Sequence, residues 1–299
     1  MLGMPMRDVR VTVLGTAQDG GVPQPGCMRE CCKIIRSGEG LRRFPVSLGI
    51  VGSDGSAHLI EASRSMGEQF EIWDLVEPNI QPLNSLSLTH SHLGHIDGLG
   101  LFGKEVMGLH GLIVHCSESV ASLIERNPVW KLLCEDGVIN PTLWKANEAF
   151  EPSVGCGFRI KPIPIPHRDE LSDNHAIIIE GRNCKLLFMP DHDAWTDTLS
   201  GQTIREWLSG LEIDIALIDG TFWDSNELQH RDLSEIPHPT VCESMERLGS
   251  RAINDPDIRF LHLNHTNPLC NPDSPELAEL TRMGWGLVKE GDSFTLERL

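Results

Sequence analysis

The stretch Leu88-Thr-His-Ser-His-Leu-Gly-His-Ile-Asp-Gly-Leu99 decides the interpretation of this chain, because it places three imidazoles close together at His90, His92 and His95. The short apolar run before it predicts a strand, and the residues after Gly94 predict the start of a helix. In an extended segment His90 and His92 point to the same side, and a turn into a helix brings His95 into the same space. Three neutral imidazoles at such a junction favour a divalent metal, with zinc first and iron or manganese next.

The composition limits the class of protein. The 299 residues carry a formal net charge of −18, so we expect no binding to nucleic acid. We find no secretory signal in the sequence and no apolar run approaching the ~20 residues that span a bilayer, so we expect no membrane partner either. Nine cysteines, most of them isolated in the sequence, indicate buried thiols in a reducing cytoplasm rather than a disulfide framework.

The chain alternates predicted strands and helices, as an α/β protein does. Val46–Val51 and Ala57–Glu61 predict a hairpin, since a Gly-Ser-Asp-Gly turn joins them. Leu99–Met107 predicts a helix, and the proline-containing Phe158–Pro166 predicts an edge strand. Ser117 or Ser119 is the expected cap of a later helix.

The candidate functional residues share one position in this pattern, just past the carboxyl end of a predicted strand. They are His90, His92, His95, His167, Asp191, Asp219 and His265. Loops at one rim of a sheet bring such scattered ligands together. Because no linker-like stretch divides the chain, we expect residues 1–299 to form one domain with the site at the seam between two sheets.

The HxHxxH pattern, followed by an isolated His, an Asp and a further His, resembles the metallo-β-lactamase superfamily. Over nearly the whole chain the sequence is more similar to the pyrroloquinoline-quinone biosynthesis protein B family. The segments that carry this likeness are Val13–Gln24, Leu217–Asp224 and Asn264–Glu276. The resemblance implies a four-layer αββα sandwich, in which helices flank two mixed sheets and the metal site lies along one edge.

The resemblance also implies two adjacent metal positions. Their ligands are imidazoles apart from one bridging carboxylate, Asp191; the first set is His90, His92 and His167, and the second is His95 and His265. A bound metal lowers the pKa of a water ligand towards ~7. Asp191 would orient the resulting hydroxide and accept its proton, and Asp219 and Asp97 are candidates to hold the far nitrogen of a ligand His. Asp191, Asp219 and His265 are the candidate catalytic residues.

The second metal position departs from the superfamily pattern HxHxDH, because this chain has Gly94 where the pattern has Asp. Two dications would then share one carboxylate and a hydroxide. Either the second metal binds weakly, or a neighbour such as His192 or Asp193 substitutes. We therefore expect Gly94→Asp to tighten the second metal. Single histidines beside strands, such as His262, are expected to be structural.

Three cysteines follow the glycine-rich loop, at Cys27, Cys31 and Cys32. They resemble the family's CxCxxC, which helps to hold a structural zinc. Arg29 occupies the middle cysteine position, so Cys31 would have to compensate for it. We expect His238 to be the distant fourth ligand of this zinc.

Three functions remain open at this point. The first is a hydrolase that uses one or two Zn²⁺ ions on a small ester or phosphodiester. The second is an Fe²⁺-dependent oxygenase-type enzyme that acts on a small or peptide-derived substrate in the biosynthesis of a quinone cofactor or related metabolite. Fe²⁺ and Mn²⁺ are the alternatives to Zn²⁺ at the histidine and aspartate ligands. The third is a non-catalytic metal or small-molecule binding protein. A homodimer is one of the assemblies that the sequence leaves open.

Overall fold

The computed structural model describes residues 7–78, 80, 82–227 and 236–297. Its strands are β1 Arg10–Gly15, β2 Ser47–Val51, β3 Ala57–Ile60, β4 Leu83–Ser87, β5 Leu112–Cys116, β6 Ile139–Leu143, β7 Arg159–Pro164, β8 His175–Glu180, β9 Lys185–Met189, β10 Ile215–Asp219, β11 Asp257–Leu261, β12 Gly286–Leu287 and β13 Ser293–Thr295. Its α-helices are α1 Glu30–Ser37, α2 Met66–Val76, α3 Leu93–Ile96, α4 Glu118–Arg126, α5 Pro128–Glu135, α6 Trp195–Leu199, α7 Ile204–Gly210, α8 Val241–Leu248 and α9 Pro275–Arg282.

The strands form two mixed sheets. The first has the order β13-β1-β2-β3-β4-β5-β6, and the second has the order β12-β11-β10-β9-β8-β7. In the first sheet β3 to β6 run parallel, while β1 pairs antiparallel with both its neighbours. In the second sheet β9 to β12 run parallel and β7 and β8 are antiparallel. The predicted hairpin is confirmed as β2 and β3, and the predicted edge strand is confirmed as β7.

Three apolar cores separate four layers. Side chains such as Val11, Leu48 and Phe188 fill the space between the two sheets. The outer face of the first sheet is covered by helices that contribute Trp73 and Ile124, both fully buried. Helices on the outer face of the second sheet contribute residues from α6 to α9 to a third core. The predicted αββα sandwich is therefore confirmed. No helix in the described ranges combines the length and the apolar character needed to cross a bilayer.

The predicted helix Leu99–Met107 is wrong. The chain instead forms the short α3 and then a 3₁₀ turn over Asp97–Phe102. Glycines at 98, 100 and 103 disfavour a longer α-helix. At Gly98 the packing is especially close, since a Cβ there would lie 2.2 Å from the carbonyl oxygen of Ser63.

The carboxyl ends of β1, β4, β7, β9, β10 and β11 meet at one edge of the sandwich. A parallel bridge between Ala17 and Leu263 joins the loops that follow β1 and β11, so it ties the two sheets together at this edge. Ser117 caps α4 by accepting from the backbone N–H of Val120, as one of the two predicted capping choices requires.

Candidate metal centre

A first group of imidazoles lies where β4 and β7 end. His90, His92 and His167 each offer one ligand atom, and these atoms all lie within 4.8 Å of one another. The Nδ1 of His90 lies 2.8 Å from the Thr89 hydroxyl, and the Nδ1 of His167 donates to Asp193 Oδ1 over 3.0 Å. A partner on Nδ1 sets the tautomer that leaves the Nε2 lone pair free for a metal. The structure thus brings the three predicted first-metal residues together.

A second group lies directly beside the first and consists of His95, His262 and Asp19. The Nε2 of His95 is 3.5 Å from Asp19 Oδ1, and the Nε2 of His262 is 3.9 Å from the same oxygen. His262 donates from Nδ1 to the Thr221 hydroxyl over 2.8 Å, which again leaves Nε2 free. His262, which the sequence predicts to be structural, therefore lies within this group of candidate ligands, in the place that the sequence assigned to His265.

Asp191 lies between the two groups, at the end of β9, and is 3% exposed. Its Oδ2 is 3.4 Å from the Nε2 of His95, while its Oδ1 is 3.4 Å from the Nε2 of His262 and 3.7 Å from the Nε2 of His167. The carboxylate therefore faces ligands of both groups, as its predicted bridging role requires. We refer to the residues of both groups with Asp191 as the His/Asp centre.

The unpaired atoms of the His/Asp centre fit a metal. The Nε2 atoms of five of its histidines and the Oδ2 of Asp191 are buried without a hydrogen-bond partner, the histidines being His90, His92, His95, His167 and His262. Buried polar atoms are rarely left without a partner unless an ion or water belongs there. Ligand atoms on one tetrahedral zinc, with bonds of about 2.0–2.1 Å, lie about 3.4 Å apart, which is close to the spacing at Asp191.

Electrostatics around the centre follow from its burial. Burial lowers the pKa of His167 to about 2 and that of His262 to about 3, so both imidazoles are neutral ligands at pH 7. Burial raises the pKa of Asp191 to about 7, although the charges of His95 and His238 oppose this. Burial would raise the pKa of Asp19, but the neighbouring imidazoles of His95 and His262 outweigh burial and hold this pKa well below its usual value.

Asp219 holds none of the five histidines of the His/Asp centre directly; the imidazole that it holds is His238, whose ligand atom lies within 4.8 Å of those of His167 and Asp191. Its Oδ2 accepts from the Nδ1 of His238 over 2.6 Å, and its Oδ1 accepts from the Thr221 hydroxyl, which in turn holds His262. His238 is the residue predicted for the cysteine site, and that prediction is wrong. Its ring lies beside those of His167 and His262, with centroids 5.3 and 5.8 Å away. Asp219 also raises the pKa of His238 against the opposing effect of burial.

The fourth residue at the cysteines is His265 instead. Its Nδ1 lies 3.5 Å from the Sγ of both Cys31 and Cys32, and its Nε2 lies 3.3 Å from a guanidinium nitrogen of Arg29. Together with Cys27 these residues form a group whose ligand atoms lie within 4.8 Å of one another. We call Cys27, Cys31, Cys32 and His265 the cysteine cluster. The predicted placement of His265 at the second catalytic metal, and its predicted catalytic role, are thereby corrected.

Two residues of the centre were missed in the sequence, and each carried a signal. His262 follows the end of β11 in the same way that the other ligands follow their strands. Asp19 lies in the glycine-rich loop after β1, and the absence of an acid at position 94 already pointed to a ligand from elsewhere. A third residue, Glu61, is 0% exposed with Oε1 3.5 Å from the Nδ1 of His95, and it too directly follows the end of a strand, β3.

The fold and this site define a metal-binding protein of the αββα sandwich class. A family model described as "Beta-lactamase superfamily domain" matches residues 58–263, and the chain belongs to that superfamily. The chain is 24% identical to the coenzyme PQQ synthesis protein B of Xanthomonas axonopodis pv. citri, an alignment that covers 95% of this chain and 98% of the relative.

Two solved structures have the same fold over nearly the whole chain. The Zn²⁺-bound PqqB of Methylobacterium extorquens superposes with a TM-score of 0.77 at 20% identity, covering 96% of this chain and 100% of the other. A diphosphatase from the PhnP family superposes with a TM-score of 0.64 at 20% identity, covering 97% of both chains. At this level of identity the likeness establishes the fold.

Proposed function

We propose that this protein is a metal-dependent hydrolase that acts on a small ester or phosphodiester. One observation carries the proposal. A buried acid–imidazole pair, Asp219 and His238, stands beside the His/Asp centre and supplies a proton donor next to the position for an activated water. Hydrolysis needs both functions, whereas a metal-binding carrier needs neither.

The ligand atoms without partners determine which residues would hold metal. His90, His92 and His167 would hold the first ion, with Asp191 facing it from β9. Bound there, a divalent metal lowers the pKa of a water ligand towards ~7 and so provides hydroxide at neutral pH. Zinc and manganese both suit nitrogen and oxygen ligands of this kind.

The side chains around the centre divide the proton transfers between them. Asp191 is placed to orient the attacking water and to take up its proton. His238 donates through Nδ1 to Asp219, so its Nε2 is the nitrogen that can donate to the oxygen of a leaving group. Because Asp219 raises the pKa of His238, the protonated and donating form persists at higher pH than for a free imidazole.

The substrate class follows from charge and from the neighbouring structures. A formal net charge of −18 opposes binding of a long polyphosphate backbone, so we favour a small substrate. The PhnP-family neighbour is named as a diphosphatase, which supports cleavage of a phosphorus–oxygen bond by a protein of this fold.

A second candidate function is favoured by the similarity over nearly the full length of the PQQ synthesis proteins. Two imidazoles with one carboxylate form a ligand set used by non-haem Fe²⁺ oxygenases. His95 and His262 with Asp191 provide such a set in this chain. On this alternative the substrate is a small or peptide-derived precursor of a quinone cofactor.

The test starts from protein purified anaerobically without added metal, followed by elemental analysis. The protein is then loaded with Zn²⁺, Mn²⁺ or Fe²⁺ and assayed on bis(4-nitrophenyl) phosphate and 4-nitrophenyl acetate, with oxygen consumption followed in parallel. We expect hydrolysis with Zn²⁺ or Mn²⁺ that is lost in His92→Ala. Oxygen consumption by the Fe²⁺ form without hydrolysis by any form would favour the second candidate.

A further inference from the structure

We propose that Asp19, from the glycine-rich loop after β1, is the carboxylate that completes the second metal position of this chain. Gly94 is part of the same arrangement, because it leaves the space in which Asp19 lies. The inference rests on the proposed metal centre and assigns to it a ligand from a different part of the chain.

Position 94 explains why the ligand comes from elsewhere. A Cβ built on Gly94 would lie 2.5 Å from Oδ1, 2.6 Å from Cγ and 2.6 Å from Cα of Asp19. Contacts under about 3 Å between such atoms do not occur without movement, and one of these atoms belongs to the backbone. A side chain at position 94 and the present path of the loop therefore exclude each other.

Asp19 also occupies the volume that a side chain at Gly94 would enter. The Asp19 carboxylate lies against Gly94 at the start of α3, since a Cβ at Gly94 would meet its Oδ1 at 2.5 Å. From there Oδ1 reaches the Nε2 of both His95 and His262, at 3.5 and 3.9 Å. Both nitrogens are buried without a hydrogen-bond partner.

The loop is fixed at this place by its backbone. The N–H of Gln18 donates to the carbonyl of Leu263 over 3.0 Å, and the N–H of Leu263 donates to the carbonyl of Thr16 over 2.9 Å. Leu263 is the neighbour of His262, so the backbone of one ligand segment is paired with that of the other. On the other side of Asp19, the N–H of Gly21 donates to Gln18 over 2.8 Å. Such a preorganised ligand needs little ordering when a metal binds.

Charge gives a second reason for this ligand. Two dications that shared only Asp191 and one hydroxide would carry an excess of two positive charges in a buried site, and Asp19 reduces that excess to one. Since uncompensated charge is costly away from water, the second ion should bind weakly without Asp19. This argument also reverses the expected effect of Gly94→Asp, because the new side chain would displace the ligand that is already present.

The experiment measures metal binding rather than activity. Mn²⁺ is titrated into metal-free wild-type protein, Asp19→Asn and Gly94→Ala, with stoichiometry from elemental analysis and the coupled two-ion signal from electron paramagnetic resonance. We expect the wild type to show the coupled signal and both variants to lose it, with at least about 100-fold weaker binding of the second ion. The first ion should bind unchanged.

Asp97→Asn is the matched control, since Asp97 lies close to His95 in sequence but pairs with Arg64 at the surface, 3.3 Å away. It should keep the coupled signal. A coupled signal in Asp19→Asn, or tighter second-ion binding in Gly94→Asp than in wild type, would overturn the assignment of Asp19. Absence of any ion at the centre of the wild type would instead overturn the proposed function.

Discussion

The His/Asp centre and the cysteine cluster share two chain segments, yet they present different ligand chemistry. The segment after β1 gives Asp19 to the centre and Cys27 to the cluster, and the segment after β11 gives His262 to the centre and His265 to the cluster. One site offers nitrogen and oxygen atoms at strand ends, and the other offers thiols at the start of α1. Neighbouring residues on one loop therefore belong to different groups of candidate ligands.

The cysteine cluster also differs from the His/Asp centre in the protonation of its ligands, because its thiols have shifted pKa values. Burial raises the pKa of Cys32 to about 12, whereas the pKa of Cys27 is lowered, because hydrogen bonds and the guanidinium of Arg29 outweigh burial. A zinc ion would hold these thiols as thiolates and would close the site with His265 as the fourth ligand. The Sγ atoms of Cys31 and Cys32 are 4.0 Å apart, near the spacing of about 3.8 Å for sulfur atoms on one tetrahedral zinc. We therefore propose a structural role for the cluster and a catalytic role for the centre.

The largest effect is expected when the centre loses a ligand. His92→Ala should remove the first ion and reduce hydrolysis by on the order of 10³-fold, because several kcal/mol of transition-state stabilisation depend on that ion. Elemental analysis should show that the cysteine cluster keeps its zinc. Loss of metal from both sites together would contradict the separation of the two regions.

Two single alanine variants test the corrected positions of His238 and His265. His238→Ala should reduce kcat by about 10²-fold without changing the metal content, whereas His265→Ala should release the zinc of the cysteine cluster. The pH profile of activity tests whether His238 acts in its protonated form. The donor must be protonated, so activity should fall as pH rises through the raised pKa of His238, and Asp219→Asn should move that alkaline limb to lower pH. Zinc loss from His238→Ala would restore the sequence-based assignment.

The sequence predicted which residue types form the two sites better than it predicted which residues lie together in each site. Each strand end could be recognised locally, and this brought His90, His92, His167 and Asp191 together correctly. The choice between His262 and His265 could not be made in this way, because it depends on the path of the loop after β11. His262 has a left-handed backbone with φ 63°, a conformation that the sequence does not indicate at a non-glycine residue.

The position of Asp19 could not be predicted for a related reason. It depends on long-range pairing between the loops after β1 and β11, which joins residues more than 200 positions apart in the sequence. The fold itself was predicted because strand and helix patterns are local and the family segments run along most of the chain. The predicted helix Leu99–Met107 was the exception, since its glycines disfavour an α-helix and the chain forms a 3₁₀ turn over Asp97–Phe102 instead.

A moderate effect on binding of the first ion is expected when Asp193, which orients His167, is replaced. Asp193→Asn removes the carboxylate acceptor of the Nδ1 proton, so the first ion should bind 10- to 100-fold more weakly, with little change in the second. Competition with a chelator of known affinity measures this loss. Thr221→Val serves as the reciprocal variant, since it removes the acceptor of His262 and should weaken the second ion. Equal weakening of both ions in either variant would show that the two halves of the centre cannot be separated.

The smallest effect is expected when the cysteine cluster loses its zinc, and it shows whether the cluster influences metal binding at the His/Asp centre. Removing its zinc by the double change Cys27→Ser and Cys32→Ser releases both chain segments at one point, because Cys32 accepts from the N–H of Gln24 and contacts His265. Asp19 and His262 remain in place through their backbone pairing, so the second ion should bind only about fivefold more weakly, the lower end of typical coupling between sites. The first ion, whose ligands come from other segments, should bind as before.

By linkage, filling the second metal position should slow zinc loss from the intact cluster by a similar factor. A chelator chase of wild-type protein, with and without Mn²⁺, measures this rate of zinc loss. A weakening of the first ion equal to that of the second would mean that the cluster supports the fold in general rather than the two segments that it joins.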